Sequence, residues 1–508
     1  MNVKNGLGYA LLGLSVIIIL WLVFSMIFLI TVIFKSNGAM VGMIACFFLF
    51  YGGIACAVFA ILFIIANWLI KNGKIIFTNR DKAYLSFIRP MKKVFQNISL
   101  LCVSLLICFL LFEFIARVFV KPSEKCYGVL FNIELPPFKI KTAGRFLVNY
   151  NEWWKGIIIG GKKITKGDLW GVLEENCILG YAPRENATSF NGWWQSNNLG
   201  ARSRKSISKN ILPGMKCIII FGESLTACSD VPREETWPFF LNNKSKESEF
   251  INFGVTGYSM GQCLLRYQIL KDKIDYDTIL LIFSPRIDLV RDINVLREFL
   301  DWENYPVLPR FIVENNKLKL IESPYKTWDD FFKDNKEGCS EILRNHLRAY
   351  DRLYLRDLYE PGSWISRSIF YKLLITEFYA FQKKHLIYSL MKPNSEAMIV
   401  SRKIFKTINE NSKRDGKMFI LVLLPDSYKK DVMVYKNNYL FRKEYDEMAS
   451  SIEKEGITCI DLMKDFVKID SSQFDVGYDG SHNGPKANKI ISELIWKELK
   501  ELKLLPDV

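Results

Sequence analysis

The chain has 508 residues, of which 50% are apolar and 24% are charged, and its formal net charge at pH 7 is +15. This length exceeds one ordinary domain, and the apolar fraction is high for a wholly soluble protein. The basic charge suggests a nucleic-acid-binding protein, but the sequence has no zinc-ligand spacing, no RNP-like segment and no clear recognition helix. We therefore expect no nucleic-acid partner. With only three histidines and no Cys-x-x-Cys pattern, we also expect no metal site, and we expect no cofactor.

Three apolar segments in the first 120 residues predict a membrane region with three transmembrane helices. Tyr9–Phe34 and Ala39–Ile70 contain no charged side chain, and each is longer than the roughly 20 residues that cross a bilayer. The third segment, Ile98–Val120, is apolar except near its end, where Glu113 and Arg117 lie four residues apart. On a helix these two side chains face each other, so we expect them to pair at the membrane boundary.

The loops between these segments differ in charge, which predicts the orientation of the chain. The first loop carries only Lys35, whereas the second is rich in basic side chains. Because basic loops stay in the cytoplasm, the N-terminus is predicted to be cytoplasmic and everything after Val120 extracytoplasmic, with membrane lipid of the plasma (inner) membrane as a partner. The placement reverses if the third segment does not span. The basic residues of the second loop are Lys71, Lys74, Arg80, Lys82, Arg89, Lys92 and Lys93.

The eleven cysteines do not suggest a disulfide framework. Those outside the apolar segments are odd in number and irregularly spaced, unlike the paired patterns of disulfide-rich domains. Cys217 and Cys459 lie in apolar strand-like runs, so we expect them in the core. The pair that we single out for a test as a disulfide is Cys126 with Cys177.

Beyond Val120 the pattern changes to short apolar runs that alternate with amphipathic stretches. Residues 121–215 are rich in Trp and Gly and are predicted to form a lead-in segment that packs on the following domain, residues 216–508. Strands alternating with helices favour a parallel sheet covered on both faces, with working residues at the carboxyl ends of the strands. The predicted strands are Lys216–Phe221, Phe250–Phe253, Thr278–Ser284, Met418–Leu424 and Thr458–Ile460. Predicted helices include Gly261–Lys271, Tyr445–Glu455 and Ala487–Leu504.

A long insertion is predicted inside this domain, at about residues 294–413. Within it, RFIVENNKLKLIESP predicts a hairpin with its turn at Asn315 and Asn316. The rest, including 370–411, is predicted to be helical. An insertion at the carboxyl edge of a sheet is suited to substrate selection or to a structural cap.

Two motifs carry candidate chemistry. At Ser224 a strand-like run ends in Gly-Glu-Ser, within IIIFGESLTACSDVPREETWPFF. Such a serine is either a helix N-cap or a nucleophile whose neighbouring N–H groups face a developing oxyanion. Near the C-terminus Asp479 and His482 lie three residues apart, and Pro485 opens the last helix. A carboxylate beside a histidine can orient a general base, so the two motifs together favour serine hydrolase chemistry.

In this order the motifs resemble the SGNH/GDSL hydrolase superfamily over residues 178–504. Ser224 takes the nucleophile position of the first block, usually Gly-Asp-Ser. Gly257, in NFGVTGYSMGQ, matches the glycine whose N–H joins that of the serine in the oxyanion hole, and Asp479 and His482 match the last block, Asp-x-x-His. The resemblance implies a flavodoxin-like three-layer α/β/α sandwich, here preceded by three transmembrane helices, and a Ser-His-Asp triad.

The third block departs from the family pattern, which has Gly-x-Asn-Asp or Gly-Asn-Asp after its strand. The chain reads IFSPRIDLVRD, which aligns Asp288 with the aspartate and puts Ile287 where the oxyanion-hole asparagine stands. An isoleucine side chain donates no hydrogen bond, and loss of one such donor typically costs about 10²–10³ in rate. Either Ser284, Arg286 or a residue of the insertion substitutes, or the enzyme is slow, or the domain is inactive. Smaller departures are Glu223 for the usual Asp and Cys228 at a position that is commonly Gly.

The resemblance implies an extracytoplasmic serine esterase or O-acyltransferase acting on acyl esters, in the first place acetyl esters, of cell-surface glycans. A membrane-bound O-acyltransferase is an implied partner beside the glycan substrate. One alternative is a catalytically impaired binding or scaffold protein in a surface-polysaccharide modification complex, which Ile287 favours and the intact Ser224, Asp479 and His482 oppose. Another is a lipid-directed esterase, which the membrane anchor favours.

Overall fold

The computed structural model describes most of the chain from residue 103 onward, and these residues form two compact units. The smaller unit comprises residues up to 139 together with 356–384, and the larger comprises 140–355 together with 385–508. The described residues are 103–104, 106–107, 109–140, 158–159, 162–163, 172–189, 191–210, 212–300, 307–360, 362, 364–478, 480 and 482–506.

The larger unit contains a parallel five-stranded sheet, whose strands we label β1 to β5 in chain order. The order across the sheet is β2-β1-β3-β4-β5, the flavodoxin-like arrangement. Strand β3 pairs in parallel with both β1 and β4, so the carboxyl ends of all three meet at one edge. The strands are β1 Lys216–Phe221, β2 Ser248–Asn252, β3 Thr278–Phe283, β4 Met418–Leu423 and β5 Thr458–Asp461.

The sheet is buried because its strands are nearly continuous apolar runs, as expected when helices cover both faces. All six residues of β3 are buried. Helices α3, α4 and α5 contact one another, and α2 contacts α7. The labelled helices are α1 Ser224–Ala227, α2 Trp237–Asn242, α3 Met260–Leu270, α4 Pro285–Asp292, α5 Glu396–Arg414, α6 Tyr439–Glu453 and α7 Pro485–Glu501. The predicted α/β fold is confirmed, and all five predicted strands are present within about two residues of their predicted ends.

The segment between α4 and α5 contains the predicted hairpin, formed by Arg310–Glu314 and Lys317–Ile321. Asn315 and Asn316 have φ of +50° and +60°, the left-handed conformations that tight hairpin turns require and that asparagine tolerates. Helix α5 packs on β4 and therefore belongs to the sandwich, although the predicted insertion included it. The other helical elements of this segment are Arg297–Leu300, Trp328–Asp334, Glu341–Tyr350, Arg356–Tyr359, Trp364–Arg367 and Ile369–Leu390.

The remaining helical elements of the larger unit are short. They lie between α1 and α7 and add short turns to the connections of the sheet. They are Arg233–Glu235, Tyr428–Val432, Met433–Asn437 and Met463–Phe466, and a further turn covers Ser471–Gln473.

The part of the lead-in segment that lies in the larger unit contacts the sandwich through hydrogen bonds. It includes an antiparallel hairpin of Leu173–Asn176 and Gly180–Pro183. The Tyr181 hydroxyl donates to the carbonyl of Thr256 at 2.8 Å, and the Gln262 side chain donates to the Leu179 carbonyl at 2.7 Å. A third small hairpin pairs residues 158–159 with 162–163.

The smaller unit contains the helical segment 103–119, of which residues 103–104, 106–107 and 109–119 are described, and an antiparallel hairpin of Cys126–Leu130 and Ile133–Phe138. The predicted pair is confirmed, since the Arg117 guanidinium lies 2.6 Å from the Glu113 carboxylate. That carboxylate also accepts the N–H of Ile369 at 2.9 Å, so it caps the start of the long helix Ile369–Leu390.

The helical segment 103–119 forms the described part of the third predicted span. Its apolar side chains are largely exposed, with Phe114 and Val118 each 69% accessible. Within the described residues, no helix combines the length and the apolar character that a membrane crossing requires. The predicted spans Tyr9–Phe34 and Ala39–Ile70 lie outside the described residues.

The cysteine pair singled out for a disulfide test was the wrong choice, since Cys126 and Cys177 are both free thiols. Cys126 is buried and its S–H contacts the Gly128 carbonyl at 3.2 Å, whereas Cys177 is exposed. Cys217 is fully buried in the core, as predicted, and Cys459 is partly buried against it.

Candidate active site

The turn after β1 presents Ser224 at the carboxyl edge of the sheet. The strand ends at Phe221, and Ser224 is the first residue of the single-turn helix α1. The N-cap of this helix is Glu223, whose carboxylate accepts the N–H of Leu225 at 2.9 Å. Because Glu223 already caps the helix, the hydroxyl of Ser224 is available for other contacts.

Close packing fixes α1 against the turn after β2. The Asn252 side chain donates to the Thr226 carbonyl at 2.8 Å, and the Trp237 indole N–H donates to the Leu225 carbonyl at 2.9 Å. Gly254 lies so close to the helix that a Cβ on it would stand 2.6 Å from Thr226 Cγ2. The helix that carries Ser224 is therefore immobilised by side chains from two neighbouring elements.

Helix α1 ends after one turn at Cys228, which has a φ of +51°. This left-handed conformation favours glycine, which explains why the family commonly has glycine there. Burial raises the pKa of the Cys228 thiol to about 12. The thiol therefore stays protonated at neutral pH and does not compete with Ser224 as a nucleophile.

A buried arginine of the lead-in segment binds the loop that follows α1. Arg202 is 5% exposed and donates to the carbonyls of Ala227, Cys228 and Val231. Burial lowers the pKa of its guanidinium to about 10, so the side chain remains a cation at neutral pH. Its planar fork of donors suits several carbonyls at once, and it thereby fixes the course of this loop.

His482 lies in the turn before α7, and the structure brings its side chain to Ser224. Its Nε2 atom is 3.0 Å from Ser224 Oγ, within the range expected of a nucleophile and its general base. The backbone of this turn is held by a hydrogen bond of 2.7 Å from the N–H of Gly477 to the His482 carbonyl. The histidine side chain is 25% exposed, so solvent and substrate can reach it.

The carboxylate that the structure places at the other ring nitrogen is that of Asp230. Its Oδ2 atom contacts His482 Nδ1. The sequence predicted Asp479 for this position, and Asp479 lies outside the described residues. Asp230 went unrecognised because only the folded chain brings the loop after α1 beside the turn before α7. In the sequence, the one feature that pointed to Asp230 is its place at the end of SLTACSD, close after Ser224.

Ser224 has a second hydrogen-bond partner, which is the carboxylate of Glu223. The serine hydroxyl donates to Glu223 Oε2, and the same oxygen lies 3.4 Å from Arg291 Nη1. Glu223 and Arg291 are at most 1% exposed, so they form a buried ion pair behind the nucleophile. Since a hydroxyl carries one proton, Ser224 donates either to Glu223 or to His482 at any one time.

The predicted oxyanion donors are the backbone N–H groups of Ser224 and Gly257. Neither N–H has a hydrogen-bond partner within the described part of the chain. Gly257 has a φ of +83°, which favours glycine at this position. The preceding residue, Thr256, is joined to the nucleophile loop by a hydroxyl contact of 2.5 Å with Ser229. Both N–H groups are thus free for a ligand oxygen, and their role stays a prediction.

The third block directs its polar side chains into the protein. The Ser284 hydroxyl donates to the carbonyl of Leu424 at 2.7 Å, and the Ser284 N–H donates to Asp288 at 2.6 Å. Arg286 Nε lies 3.3 Å from the buried carboxylate of Asp431. The Ser284 hydroxyl is therefore already engaged, whereas Arg286 is about one-third exposed with its Nε beside Asp431, and Ile287 is only 8% exposed. Burial, and then the charge of Glu223, raise the pKa of Asp288 well above its usual value.

Comparisons with known proteins give matches among solved structures only. No protein-family model and no curated protein matches the chain. A lipolytic protein of the G-D-S-L family from Veillonella parvula DSM 2008 is 11% identical, with 56% of this chain and 98% of that chain covered and a TM-score of 0.27. The acetyl xylan esterase AlAXEase is 12% identical, with 56% and 99% covered and a TM-score of 0.29. The lipase/acylhydrolase from Enterococcus faecalis is 13% identical, with 58% and 100% covered and a TM-score of 0.29.

These overall scores are too low to carry an argument about activity. The chain's own features are more specific, because strand order, motif order and the contact between Ser224 and His482 are independent of one another. The strand order is flavodoxin-like, and the order of the motifs and the contact between Ser224 and His482 resemble the arrangement of the SGNH/GDSL hydrolases.

Proposed function

We propose that this protein is a serine enzyme that cleaves or transfers acyl esters, with Ser224 as the nucleophile and His482 as the general base. The observation that carries the proposal is the distance of 3.0 Å between Ser224 Oγ and His482 Nε2. A free hydroxyl is a weak nucleophile, and an adjacent base within hydrogen-bond reach is what activates it. The backbone N–H groups of Ser224 and Gly257, which have no partner among the described residues, support an acyl-transfer mechanism.

The reaction runs in two steps. Ser224 Oγ bonds to the acyl carbon while its proton passes to His482 Nε2, and the carbonyl oxygen becomes an oxyanion at the N–H groups of Ser224 and Gly257. The ester C–O bond then breaks and the proton passes to the leaving oxygen, which gives an acyl-enzyme and a free alcohol. Water or a sugar hydroxyl next attacks the acyl carbon, gives its proton to His482, and releases Ser224 with the proton returned to Oγ. Water yields an esterase, and a sugar hydroxyl yields an O-acyltransferase.

The acyl groups are those of cell-surface glycans, and the domain lies outside the cytoplasm on a membrane anchor. The sequence supports the anchor through the apolar segments Tyr9–Phe34 and Ala39–Ile70, and the exposed apolar side chains of helix 103–119 agree with it. Membrane lipid and a membrane-bound O-acyltransferase are the proposed partners. The glycan assignment follows the resemblance of the motifs to membrane-anchored SGNH proteins.

A fluorophosphonate probe tests the nucleophile. We expect the full-length protein in detergent to be labelled, and labelling to disappear in Ser224→Ala and to fall at least about 10³-fold in His482→Ala, because the probe needs an activated serine. The exposed Ser206→Ala is the matched control and should label like the wild type. Folded wild-type protein that takes up no probe would overturn the proposal and favour a scaffold, as would undiminished labelling of Ser224→Ala.

Two further measurements resolve the substrate and the membrane placement. Purified protein is incubated with an acetylated polysaccharide and with lipid esters, and released acid and acylated acceptors are quantified. Preferential turnover of the lipid esters would replace the glycan assignment. A reporter fused after Leu504 should be active only outside the cytoplasm, and cytoplasmic activity would refute the three-span topology.

A further inference from the structure

The loop after the nucleophile helix carries a carboxylate that the family motifs do not assign. We propose that Asp230 is the residue that orients His482, holding its Nδ1–H so that Nε2 faces Ser224. This inference rests on the proposed function of Ser224 and His482. The observation behind it is the contact between Asp230 Oδ2 and His482 Nδ1, to which we assign a role in the reaction.

Position is the first argument. A neutral imidazole has one N–H, and the group that accepts it decides which nitrogen remains free to act as the base. With Asp230 at Nδ1, the free lone pair lies on Nε2, which is the nitrogen that lies 3.0 Å from Ser224 Oγ. The Asp230 side chain is 10% exposed, so little water competes for its contact with the ring.

Rigidity is the second argument, because an orienting group must itself be held. Arg202 binds the carbonyls on both sides of Asp230, at Cys228 with 2.6 Å and at Val231 with 2.7 Å. The charge of Asp230 in turn favours the cationic form of Arg202. The lead-in segment that carries Arg202 therefore helps to build the active site.

The loop that contains His482 is hydrogen-bonded to the backbone of Asp230. The N–H of Tyr478 donates to the backbone carbonyl of Asp230 at 3.1 Å. Gly477 packs so closely that a Cβ on it would stand 2.8 Å from Asp230 Cβ. The Gly477 N–H donates to the His482 carbonyl at 2.7 Å. Asp230 belongs to the loop that follows α1 and is bound to the loop that contains His482. It therefore helps to fix the position of these two loops relative to each other.

The orienting role has a second consequence during the reaction. When His482 accepts the proton of Ser224 it becomes an imidazolium, and a carboxylate in contact with Nδ1 stabilises that charge. Removing the carboxylate leaves the ring free to rotate or to adopt the other tautomer. The loss should appear in kcat rather than in KM, since Asp230 touches the histidine and not the acyl group.

The experiment compares Asp230→Asn, Asp230→Glu and Asp479→Asn in the full-length protein, with the exposed Glu247→Gln as control. Hydrolysis of p-nitrophenyl acetate and the rate of fluorophosphonate labelling are measured from pH 5 to 9, and thermal unfolding checks that each variant is folded. For Asp230→Asn we expect kcat to fall about 10³–10⁴-fold with little change in KM. Without the carboxylate the imidazolium is less favoured, so the acidic limb of the residual activity should move to lower pH.

Asp230→Glu should recover a measurable part of kcat, and Asp479→Asn should lose less activity than Asp230→Asn. A folded Asp230→Asn protein within threefold of wild-type kcat, with an unmoved pH profile, would overturn the inference and leave the proposed function intact. A greater loss in Asp479→Asn than in Asp230→Asn would also overturn it. If wild-type protein takes up no probe, the proposed function fails, and the inference fails with it.

Discussion

The turns that follow β1 and β3 lie side by side at the carboxyl edge of the same sheet, yet they direct their polar side chains in opposite ways. After β1, Ser224 reaches His482, and the loop beyond it carries Asp230 to the same ring. After β3, Ser284 binds the Leu424 carbonyl inside the protein. The residue of this turn that the motif aligns with the oxyanion donor is an isoleucine.

One turn therefore carries the candidate catalytic contact, while the other directs its serine into the interior of the protein. The β1 side is held by Arg202, Asn252 and Trp237, so changes there act on catalysis through position. On the β3 side the hydroxyl of Ser284 and the carboxylate of Asp288 bind groups inside the protein, so we expect changes there to act first on stability. Variants at the two turns should therefore differ in kind as well as in size.

The largest expected effect lies on the β3 side, at Asp431, the partner of Arg286. Burial, followed by the charge of Asp426, raises the pKa of Asp431 from 3.8 to about 7. At this group the folded state therefore binds more protons than the unfolded state between these values, so the contribution of Asp431 to stability is greatest below about pH 4 and is lost as the pH rises to about 7. A shift of this size corresponds to up to about 4 kcal/mol.

Asp431→Asn should remove most of that pH dependence, because asparagine does not titrate. Its side-chain oxygen can still accept the N–H of Asp426, which Asp431 now accepts at 2.7 Å, so the local structure should be kept. The measurement is urea unfolding of the full-length protein in detergent at several pH values, followed by tryptophan fluorescence. Asp272→Asn, at a side chain that is 81% exposed, is the control and should keep the wild-type slope. An unchanged slope in Asp431→Asn would contradict the assignment.

A smaller effect, now on catalysis, is expected on the β1 side from Gly254→Ala. The added Cβ would stand 2.6 Å from Thr226 Cγ2 and 2.7 Å from the backbone nitrogen of Ala227, so α1 must shift. A displacement of about 1 Å at a nucleophile costs on the order of 10²-fold in rate, which is how far we expect fluorophosphonate labelling to slow.

The control for Gly254→Ala is Gly214→Ala. Gly214 has a φ of +84° and open space around it, so alanine there introduces backbone strain away from the site. Its labelling rate should stay at the wild-type level even if its unfolding temperature drops. Equal slowing in both variants would show that general destabilisation, and not the position of Ser224, is the cause.

The contrast between the turns also marks what the sequence could predict. The strands were found because fully buried parallel strands are apolar runs, and Ser224 and His482 were found because their neighbours in sequence form motifs. Asp230 was missed because its partner is distant in the chain, and a tertiary contact leaves no local pattern. The hydrogen bond from the Ser284 hydroxyl to the Leu424 carbonyl could not be predicted from the sequence either, because it depends on the register between β3 and β4.

The smallest effect that we predict restores the family's donor on the β3 side. In Ile287→Asn a side-chain amide would stand where the motif has asparagine, and one donor that strengthens in the transition state is worth about 10²–10³ when preorganised. The surroundings of Ile287 evolved around an apolar group, so we expect only about a tenfold rise in kcat. Asparagine at a side chain that is 8% exposed should also lower stability by about 1–3 kcal/mol.

Ile287→Leu is the matched variant, because it keeps an apolar side chain of the same size and supplies no donor. We expect its kcat to stay near the wild-type value, so that any gain in Ile287→Asn is attributable to the amide. A folded Ile287→Asn protein with no gain over Ile287→Leu would show that the oxyanion is already stabilised without a side chain from this turn. The N–H groups of Ser224 and Gly257 would then be sufficient to stabilise the oxyanion, and catalysis would not require a donor from the turn after β3.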